Sequence, residues 1–454
     1  MGLDFGVLGF LSERNGIIIV LFPLICYNIA VYLLIMWENI QVNRILSRYL
    51  PGVFDRQLVL ITGARQTGKT TLVKKYYHDL PYYNLDAFEY RDQLSSISTF
   101  KWAGEVGKSV IDEIQKEPAL FDKIKYAFDE GSLSFSVLTG SSQILLLKRI
   151  QETLAGRITL RELFPFTFRE LMDYQGENRE PLLLEKLMGK GHVDEVLNGM
   201  SSILIGEDRV FNTEVEDWIY TWGGMPPLIH IRESNERKYW LKDYAIAYLE
   251  RDLSNLASLK DLKPFMKFQQ IAALRTANLI SFTELARDSG IGIETSRRYL
   301  EYLRISYQAF LLQPYHKNLT SSLVKTPKLY WFDNGLQRHL SGYGYETNNG
   351  QLYENYVASE IMKFIRTNRM DAKLYFYRTR SGMEIDFILE TNKGILGLEV
   401  KNREVVSSSD FTSLKKLALA AGKEWKAGIV IYRGNKIQNY GDRLWAIPST
   451  RLFG

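Results

Sequence analysis

The hydrophobic pattern of the chain starts with one long uncharged run and continues as short apolar segments separated by polar ones. The long run covers residues 16–37 and contains no Asp, Glu, Lys or Arg. Because about 20 apolar residues cross the hydrocarbon core of a bilayer, the run predicts one membrane-spanning helix. Arg44 and Arg48 follow the run, so we expect a cytoplasmic protein tethered to the inner face of the cell membrane by this helix.

Two other interpretations of residues 16–37 stay open. The run is equally compatible with a buried helix or hairpin, or with a working protein that begins at Met36. A cleaved signal peptide fits less well, because the run is long and the segment before it is not basic.

The short apolar segments predict a buried parallel sheet flanked by helices. Leu58, Val59, Leu60 and Ile61 form the first such segment, and comparable runs end at Ile111 and Leu138. Continuous apolar runs of this length are typical of strands that are covered on both faces. The fold class of this part of the chain is therefore α/β.

A glycine-rich loop follows the first predicted strand and precedes a helix-like segment. Its sequence fits the phosphate-binding pattern G-x-x-x-x-G-K-[ST], in which backbone N–H groups and a helix N-terminus surround phosphates. We expect Lys69 to neutralise the β and γ oxygens of ATP and Thr70 to bind Mg²⁺. The predicted nucleotide-binding residues are Gly63, Ala64, Arg65, Gln66, Thr67, Gly68, Lys69, Thr70 and Thr71.

Four residues downstream of the loop are candidates for hydrolysis. Asp112 follows an apolar strand and would complete the Mg²⁺ site, while the adjacent Glu113 would orient or deprotonate the attacking water. Ser141 ends a third strand, where its hydroxyl would contact the γ-phosphate or belong to an ordinary polar turn. Arg157 would either reach the γ-phosphate of a neighbouring subunit in a homo-oligomer or form an internal salt bridge.

Residues 281–303 show a second recognisable pattern, two short helices joined by a tight turn. Ser281 caps the first helix and Gly290 ends it, and residues 294–303 form the second helix. This spacing indicates a winged-helix arrangement. Thr295, Ser296, Arg297 and Arg298 would contact DNA phosphates or bases, although such units also bind proteins in multidomain ATPases.

The C-terminal segment carries an acidic cluster on predicted strands. Glu354 lies on an amphipathic helix, Asp386 on a strand, and Glu399 and Lys401 two residues apart on the next strand, where they share a face. Carboxylates of this kind bind Mg²⁺ or Mn²⁺, and a lysine beside them orients water during phosphodiester hydrolysis. The alternative is an ordinary charge pair on a sheet face without catalysis.

Composition limits the remaining choices. The 454 residues predict two to four domains, and 46% hydrophobic with 24% charged residues excludes a disordered, collagenous or polytopic membrane chain. A formal charge of +5 restricts nucleic-acid contacts to local patches. One cysteine and five scattered histidines exclude an intramolecular disulfide and make a structural zinc site improbable.

Five segments follow from these patterns. They are an apolar segment at 1–40, a P-loop ATPase domain at 41–170, a helical lid or connector at 171–265, a winged-helix domain at 266–345, and an α/β nuclease-like domain at 346–454.

The quoted motifs, together with Pro314-Tyr315, residues 325–330, residues 332–336 and residues 384–387, resemble a family of bacterial and archaeal AAA+-type ATP-binding proteins. The similarity extends over residues 38–444. It implies ATP binding and hydrolysis, an AAA+-like core with a winged helix, and a C-terminal PD-(D/E)XK nuclease-like domain. Members of the family begin near the position of Met36, and their cellular role is poorly defined.

We therefore expect a Mg²⁺-dependent ATPase whose nucleotide state moves a winged helix and a nuclease-like domain on DNA. The alternative is a nucleotide-controlled switch that binds an unidentified protein partner through an inert nuclease-like domain. A third hypothesis is a DNA-binding regulator that binds ATP tightly without turnover.

Overall fold

The computed structural model describes residues 42–140, 154, 156–174, 176, 180–203, 206–248, 262–315 and 326–454. The predicted membrane span at 16–37 and the predicted phosphate contact Ser141 lie outside these residues. Within the described ranges, every helix is too short or too polar to cross a membrane.

A parallel five-stranded sheet forms the first layer. Its strand order is β2-β3-β4-β1-β5, and all neighbours run parallel, which confirms the predicted α/β architecture. Its strands are β1 (Gln57–Thr62), β2 (Tyr82–Asn84), β3 (Val110–Asp112), β4 (Phe135–Gly140) and β5 (Ile158–Glu162). The helices of this region are α1 (Lys69–Tyr76), α2 (Phe88–Ser96), α3 (Trp102–Glu105), α4 (Leu120–Asp129) and α5 (Phe168–Met172).

Helices connect this sheet to the middle of the chain. They are α6 (Leu183–Met188), α7 (Val193–Asn198), α8 (Glu207–Trp222), α9 (Ser234–Tyr248), α10 (Lys263–Leu274), α11 (Phe282–Ser289) and α12 (Ile293–Ile305). A two-stranded antiparallel sheet follows α12 and consists of β6 (Ala309–Leu312) and β7 (Lys328–Trp331). The Ser281 side chain accepts a hydrogen bond at the start of α11, and Gly290 ends it in a left-handed conformation.

The C-terminal part is a mixed six-stranded sheet with strand order β12-β13-β11-β10-β9-β8. Helices α13 (Asn334–Ser341) and α14 (Gly350–Thr367) precede the sheet. Its elements are β8 (Ala372–Arg378), β9 (Glu384–Thr391), β10 (Gly394–Lys401), α15 (Thr412–Ala421), β11 (Trp425–Tyr432), β12 (Gln438–Asn439), β13 (Leu444–Pro448) and α16 (Ser449–Phe453). The strands predicted to carry Asp386 and Glu399 are both present.

A close backbone contact joins α8 to the start of α13. The Asp333 carboxylate accepts a hydrogen bond from Gly224 N–H at 2.8 Å. A Cβ atom on Gly335 would overlap the carbonyl oxygen of Trp222, so only glycine permits this approach. The Trp-Gly-Gly and Asp-Asn-Gly sequences therefore act as two halves of one structural junction.

One apolar core crosses the boundary between the first sheet and the C-terminal part. Phe164 and Phe168, which follow β5, lie in the same buried cluster as Tyr353 and Ile361 of α14. Burial of large apolar side chains supplies most of the stabilisation of such contacts. Helix α14 is consequently packed against the first layer as well as against its own sheet.

Candidate nucleotide site and acidic cluster

The glycine-rich loop has the strand, loop and helix context that its sequence predicts. It leaves the carboxyl end of β1, and α1 begins at Lys69. Gly63 has φ +151°, and a Cβ at this position would overlap the carbonyl oxygen of Leu163. Gly68 adopts a left-handed conformation immediately before the helix. Glycine is required at both places because of backbone conformation and close approach.

Lys69 and Thr70 project from the start of α1 towards the loop and the neighbouring strands. Lys69 is buried, and its Nζ donates to the carbonyl oxygens of Gly63 at 2.9 Å and Ala64 at 2.8 Å. Thr70 Oγ1 donates to Asp112 Oδ2 at 2.7 Å. A hydroxyl and a carboxylate so close to the loop provide the oxygen ligands that Mg²⁺ prefers, so the residues fit this ion.

Asp112 is positioned by strands on both sides of β3. Tyr82 OH donates to Asp112 Oδ2 at 2.5 Å, and Thr139 of β4 donates to Asp112 Oδ1. Because parallel strands all end at one edge of the sheet, Asp112 and the loop after β1 meet there although 42 residues separate Asp112 from Thr70.

Glu113 adopts a left-handed backbone conformation with φ +58°, which is uncommon for a residue with a side chain. Its carboxylate accepts a hydrogen bond from Gln115. Burial raises the pKa of Glu113, while the positive charges of Lys69 and Arg65 oppose the shift. Glu113 therefore lies close enough to Lys69 and Arg65 for their charges to affect it. A half-buried carboxylate with a raised pKa suits proton transfer.

Arg157 lies away from this site. It directly precedes β5, at the end of the sheet opposite to the loop that follows β1. Its Nε pairs with Asp129 Oδ1 at 2.5 Å, which is the internal salt bridge that the sequence left open. Arg157 therefore lies at the far end of the sheet from Lys69 of the same chain.

Arg44 contacts the loop, and the sequence did not predict this contact. Its Nη1 donates to the Thr67 carbonyl at 2.7 Å, and its Nε pairs with Glu170 at 3.0 Å. A cavity of about 350 Å³ lies beside these groups. Its lining includes Arg44, Gly68, Thr71, Phe166, Pro226 and His230. The sequence offered no local signal for Arg44, because its partners are distant along the chain.

The structure brings Asp386, Glu399 and Lys401 together at the paired strands β9 and β10. Asp386 Oδ2 accepts from Val400 N–H at 2.8 Å, and Lys401 Nζ donates to Glu399 Oε1 at 2.7 Å. Burial and the neighbouring Asp386 raise the pKa of Glu399 to about 8. Burial also raises the pKa of Asp386, against the charges of Lys328 and Lys401.

Glu354 joins the cluster from α14, but its carboxylate is held by two residues of β7. Tyr330 OH donates to Glu354 Oε1 at 2.6 Å, and Lys328 Nζ pairs with the same oxygen at 3.2 Å. Burial, followed by the charge of Asp386, raises the pKa of Glu354 to about 7. Lys328 and Tyr330 lie in a stretch that the family resemblance singled out, yet the sequence assigned them no chemistry.

The predicted second metal site, with Glu354, Asp386 and Glu399 as ligands, is not assembled. Across the described ranges, no three His, Cys, Asp or Glu side chains are placed to hold one ion. The physical reason is the buried ammonium of Lys328, which pairs with Glu354 and with Glu384. The cluster in this arrangement does not fit a divalent cation bound by all three carboxylates.

The helix predicted to face DNA presents only part of its predicted contacts. Ser296 is buried and directs its hydroxyl towards the Phe282 carbonyl, so its assignment as a DNA contact is wrong. Thr295 is half-buried. Arg297 and Arg298 are exposed, and the Arg297 guanidinium lies 4.4 Å from the Phe282 ring centre.

A chain of polar contacts links the nucleotide loop to α14. Thr62, the last residue of β1, shares a hydrogen bond of 2.6 Å with Tyr307 OH. Tyr307 OH also donates to Glu162 Oε1 at 2.9 Å, and Arg366 Nε of α14 donates to Glu162 Oε2 at 2.7 Å. Because α14 also carries Glu354, this helix lies in one candidate site and is linked to the other through Glu162 and Tyr307.

Three family models match successive parts of the chain. Residues 55–172 match an AAA domain, and residues 213–347 and 349–452 match two different domains of unknown function. Together with the parallel sheet and the loop geometry, the first match shows that the chain contains an AAA-type P-loop ATPase domain. Domains of this class use a nucleotide together with Mg²⁺.

Several relatives extend over most of the chain. An uncharacterised protein of Mycobacterium tuberculosis is 26% identical over 410 residues, covering 87% of this chain and 80% of the relative. An uncharacterised protein of Methanocaldococcus jannaschii is 25% identical, covering 74% of this chain and 73% of the relative.

Solved structures show weaker similarity. The Walker-type ATPase of Pyrococcus abyssi has a TM-score of 0.39 and 16% identity, covering 67% of this chain and 96% of that one. DnaA of Aquifex aeolicus bound to AMPPCP has a TM-score of 0.21 and 15% identity, covering 62% and 88%. These TM-scores are low, so the assignment of the AAA domain depends on the family model.

Proposed function

We propose that the chain binds ATP with Mg²⁺ at the loop after β1 and hydrolyses it. The observation that carries this proposal is the convergence of Lys69, Thr70 and Asp112 at one edge of the parallel sheet, with Thr70 Oγ1 2.7 Å from Asp112 Oδ2. Lys69 would neutralise the β and γ oxygens, and Thr70 and Asp112 would hold the ion, which offsets negative charge during phosphoryl transfer. The Arg44 cavity beside Gly68 would receive the base and ribose.

Glu113 would orient the attacking water and accept its proton. Arg157 would act only from a neighbouring subunit, because it lies at the opposite end of the sheet from the loop of its own chain. Its pairing with Asp129 would have to open when the subunits associate. Hydrolysis would therefore depend on a homo-oligomer in which one subunit completes the site of the next.

Nucleotide binding would be transmitted to the C-terminal part through Thr62, Tyr307, Glu162 and Arg366. Thr62 precedes the phosphate loop directly, so a change at the loop alters the contact to Tyr307. Tyr307 follows α12, the helix that carries the exposed Arg297 and Arg298. The three helices α10, α11 and α12 with the β6–β7 sheet support a winged-helix unit, and its arginines would bind DNA phosphates.

A second candidate function is a nucleotide-controlled binding switch whose nuclease-like domain does not cleave. The pairing of Lys328 with Glu354 favours it, because this pairing removes one carboxylate from the predicted metal group. In this version the α12 surface would hold a protein partner in place of DNA. The two candidates share the ATPase domain and differ in what the C-terminal part binds.

Phosphate release with and without duplex, branched and single-stranded DNA distinguishes these candidates. We expect DNA to raise the wild-type rate, and expect Arg297→Ala/Arg298→Ala to lose that stimulation and to lower the slope of log affinity against log salt by about 1 per arginine. Arg304→Ala, at the far end of the same helix, is the matched control. Turnover that is indifferent to every DNA, with all substrates intact on a gel, would refute DNA action and favour the protein-binding switch.

Tyr307→Phe tests the proposed transmission. The change deletes only the hydroxyl that bonds Thr62 and Glu162, so ATP affinity should stay near the wild-type value. We expect DNA stimulation of phosphate release to fall about fivefold, since coupling free energies between sites are typically about 1 kcal/mol or more. Tyr302→Phe, on α12 but outside this hydrogen-bonded chain, should keep full stimulation. Undiminished stimulation in Tyr307→Phe would exclude this route.

A further inference from the structure

Lys328 is a buried cation inside the acidic cluster, and it comes from outside the C-terminal sheet. It begins β7, the second strand of the small sheet that follows the α10–α12 helices. The residue is only 2% exposed. Its Nζ lies 2.6 Å from Glu384 Oε1 and 3.2 Å from Glu354 Oε1. A lysine is rarely buried this deeply unless carboxylates compensate its charge.

Two other cations of the chain also pair with carboxylates of this cluster. Arg378 pairs with Glu384 at 3.3 Å, and Lys401 pairs with Glu399 at 2.7 Å. Asp386 accepts a backbone hydrogen bond from Val400. Lys328 is thus the cation that engages Glu354, the carboxylate which α14 supplies.

Glu399 carries a buried carboxylate oxygen without a hydrogen bond in the described part of the chain. Glu399 Oε2 is buried and has no hydrogen-bond partner among the residues that the structure describes. Its neighbour Asp386 lies on the adjacent strand, and its charge acts on Glu399. Two of the three carboxylates are therefore near each other, and the third is tied to Lys328. Mg²⁺ is usually bound by one or two carboxylates together with water, so Asp386 and Glu399 would be enough for an ion if no other positive charge were present. The ammonium of Lys328 lies against Glu354 and Glu384, and its charge also acts on Asp386, so it opposes a second positive charge at this place.

We propose that Lys328 is an internal cation which takes the place of a divalent metal and keeps the acidic cluster from binding one. The ammonium holds Glu354 through a direct ion pair, and Tyr330 of the same strand holds the same oxygen. Both contacts that hold Glu354 thus come from β7.

The test removes Lys328 without leaving an uncompensated buried charge. Breaking a buried ion pair from one side is strongly destabilising, so Lys328→Met is combined with Glu384→Gln, which deletes one positive and one negative charge. All proteins are full chains that carry Asp112→Asn and contain no nucleotide, so that the loop site lacks its proposed carboxylate ligand for the ion. Mn²⁺ binding is measured by calorimetry and by electron paramagnetic resonance of free Mn²⁺.

We expect the Lys328→Met/Glu384→Gln chain to bind one more Mn²⁺ than its parent. Addition of Asp386→Asn should weaken that site about tenfold or more, as loss of a ligand oxygen does. Glu384→Gln alone and Lys401→Met alone are the controls, and neither should gain an ion because Lys328 still holds Glu354. If the methionine variant does not fold, Lys328→Gln/Glu384→Gln gives the same comparison with a neutral polar side chain.

Two results would overturn the proposal. One is a parent chain that already binds Mn²⁺ with the same affinity and loses it with Asp386→Asn. The other is a folded double variant, with a wild-type-like circular dichroism spectrum and melting temperature, that binds no additional Mn²⁺. Both results are independent of ATP hydrolysis, so they leave the proposed function of the nucleotide site untouched.

Discussion

Glu113→Gln should bind ATP with wild-type affinity and hydrolyse it at least about 100-fold more slowly, the contribution typical of general acid–base catalysis. The substitution keeps the size of the side chain and removes its ability to accept a proton. The Glu113 carboxylate accepts a hydrogen bond from Gln115, and its charge interacts with Lys69 and Arg65. Binding of a fluorescent ATP analogue and phosphate release measure the two effects separately.

Glu105→Gln is the matched control, because Glu105 is a half-exposed side chain that pairs with Lys101 on the protein surface. It should leave both binding and turnover unchanged. A Glu113→Gln chain that releases phosphate at the wild-type rate would exclude Glu113 as the base. In that case another group, or the metal-bound water alone, would have to activate the nucleophile.

Lys69→Ala should weaken nucleotide binding by about 100-fold or more, which abolishes binding at ordinary concentrations. The ammonium is buried in the curve of the loop, where it would contact two phosphate groups through charge-assisted hydrogen bonds. Its removal also takes one donor from each of the carbonyls of Gly63 and Ala64. Calorimetric titration with ATP and Mg²⁺ measures the change.

Lys101→Ala, a substitution of an exposed lysine, is the control for the loss of one positive charge. It should bind ATP as the wild-type chain does. Wild-type-like turnover in both Lys69→Ala and Glu113→Gln would contradict the assignment of the loop after β1 as the working nucleotide site. Loss of binding in Lys69→Ala with loss of turnover alone in Glu113→Gln would separate the roles of the two residues.

The nucleotide site was predictable because its signals are local or follow from the direction of strands. Nine consecutive residues, from Gly63 to Thr71, specify the turn, the helix start and the position of Lys69 and Thr70. Asp112 is distant in sequence, but any residue that ends a neighbouring parallel strand must reach the same edge of the sheet. The predicted contact between Thr70 and Asp112 is therefore a consequence of strand polarity.

The acidic cluster was predictable only in part. Period-two alternation placed Glu399 and Lys401 on one face of β10, and the hairpin brought Asp386 beside them. The same reasoning did not reveal that Lys328 and Glu384 belong to the cluster. An ion pair between distant segments produces no pattern of spacing in the sequence. For the same reason Arg44 and Tyr307 were missed, although both contact the region of the nucleotide loop.

Ser296 shows where a correct element still misplaces a side chain. The helix 293–305 is present, but its serine faces the core and its arginines face outward, a difference set by rotation of the helix against its neighbours. Arg157 forms the internal salt bridge that was one of its two predicted roles, and its strand begins at the end of the sheet opposite to the loop. In both cases packing, and not residue type, selects the partner within the chain.

By itself, the sequence determined the α/β sheet, the glycine-rich loop with the two carboxylates at the end of β3, and the capped helix pair, because each depends on neighbouring residues or on strand direction. Only the tertiary structure decided which charges meet: Lys328 with Glu354, and Glu162 with Arg366. Ion pairs between distant segments depend on how whole elements pack, since packing alone sets the distances of a few ångströms on which electrostatic pairing depends. For this reason the sequence was enough to recognise α14 as a helix. Its role as the connection between two sites became visible only in the folded chain.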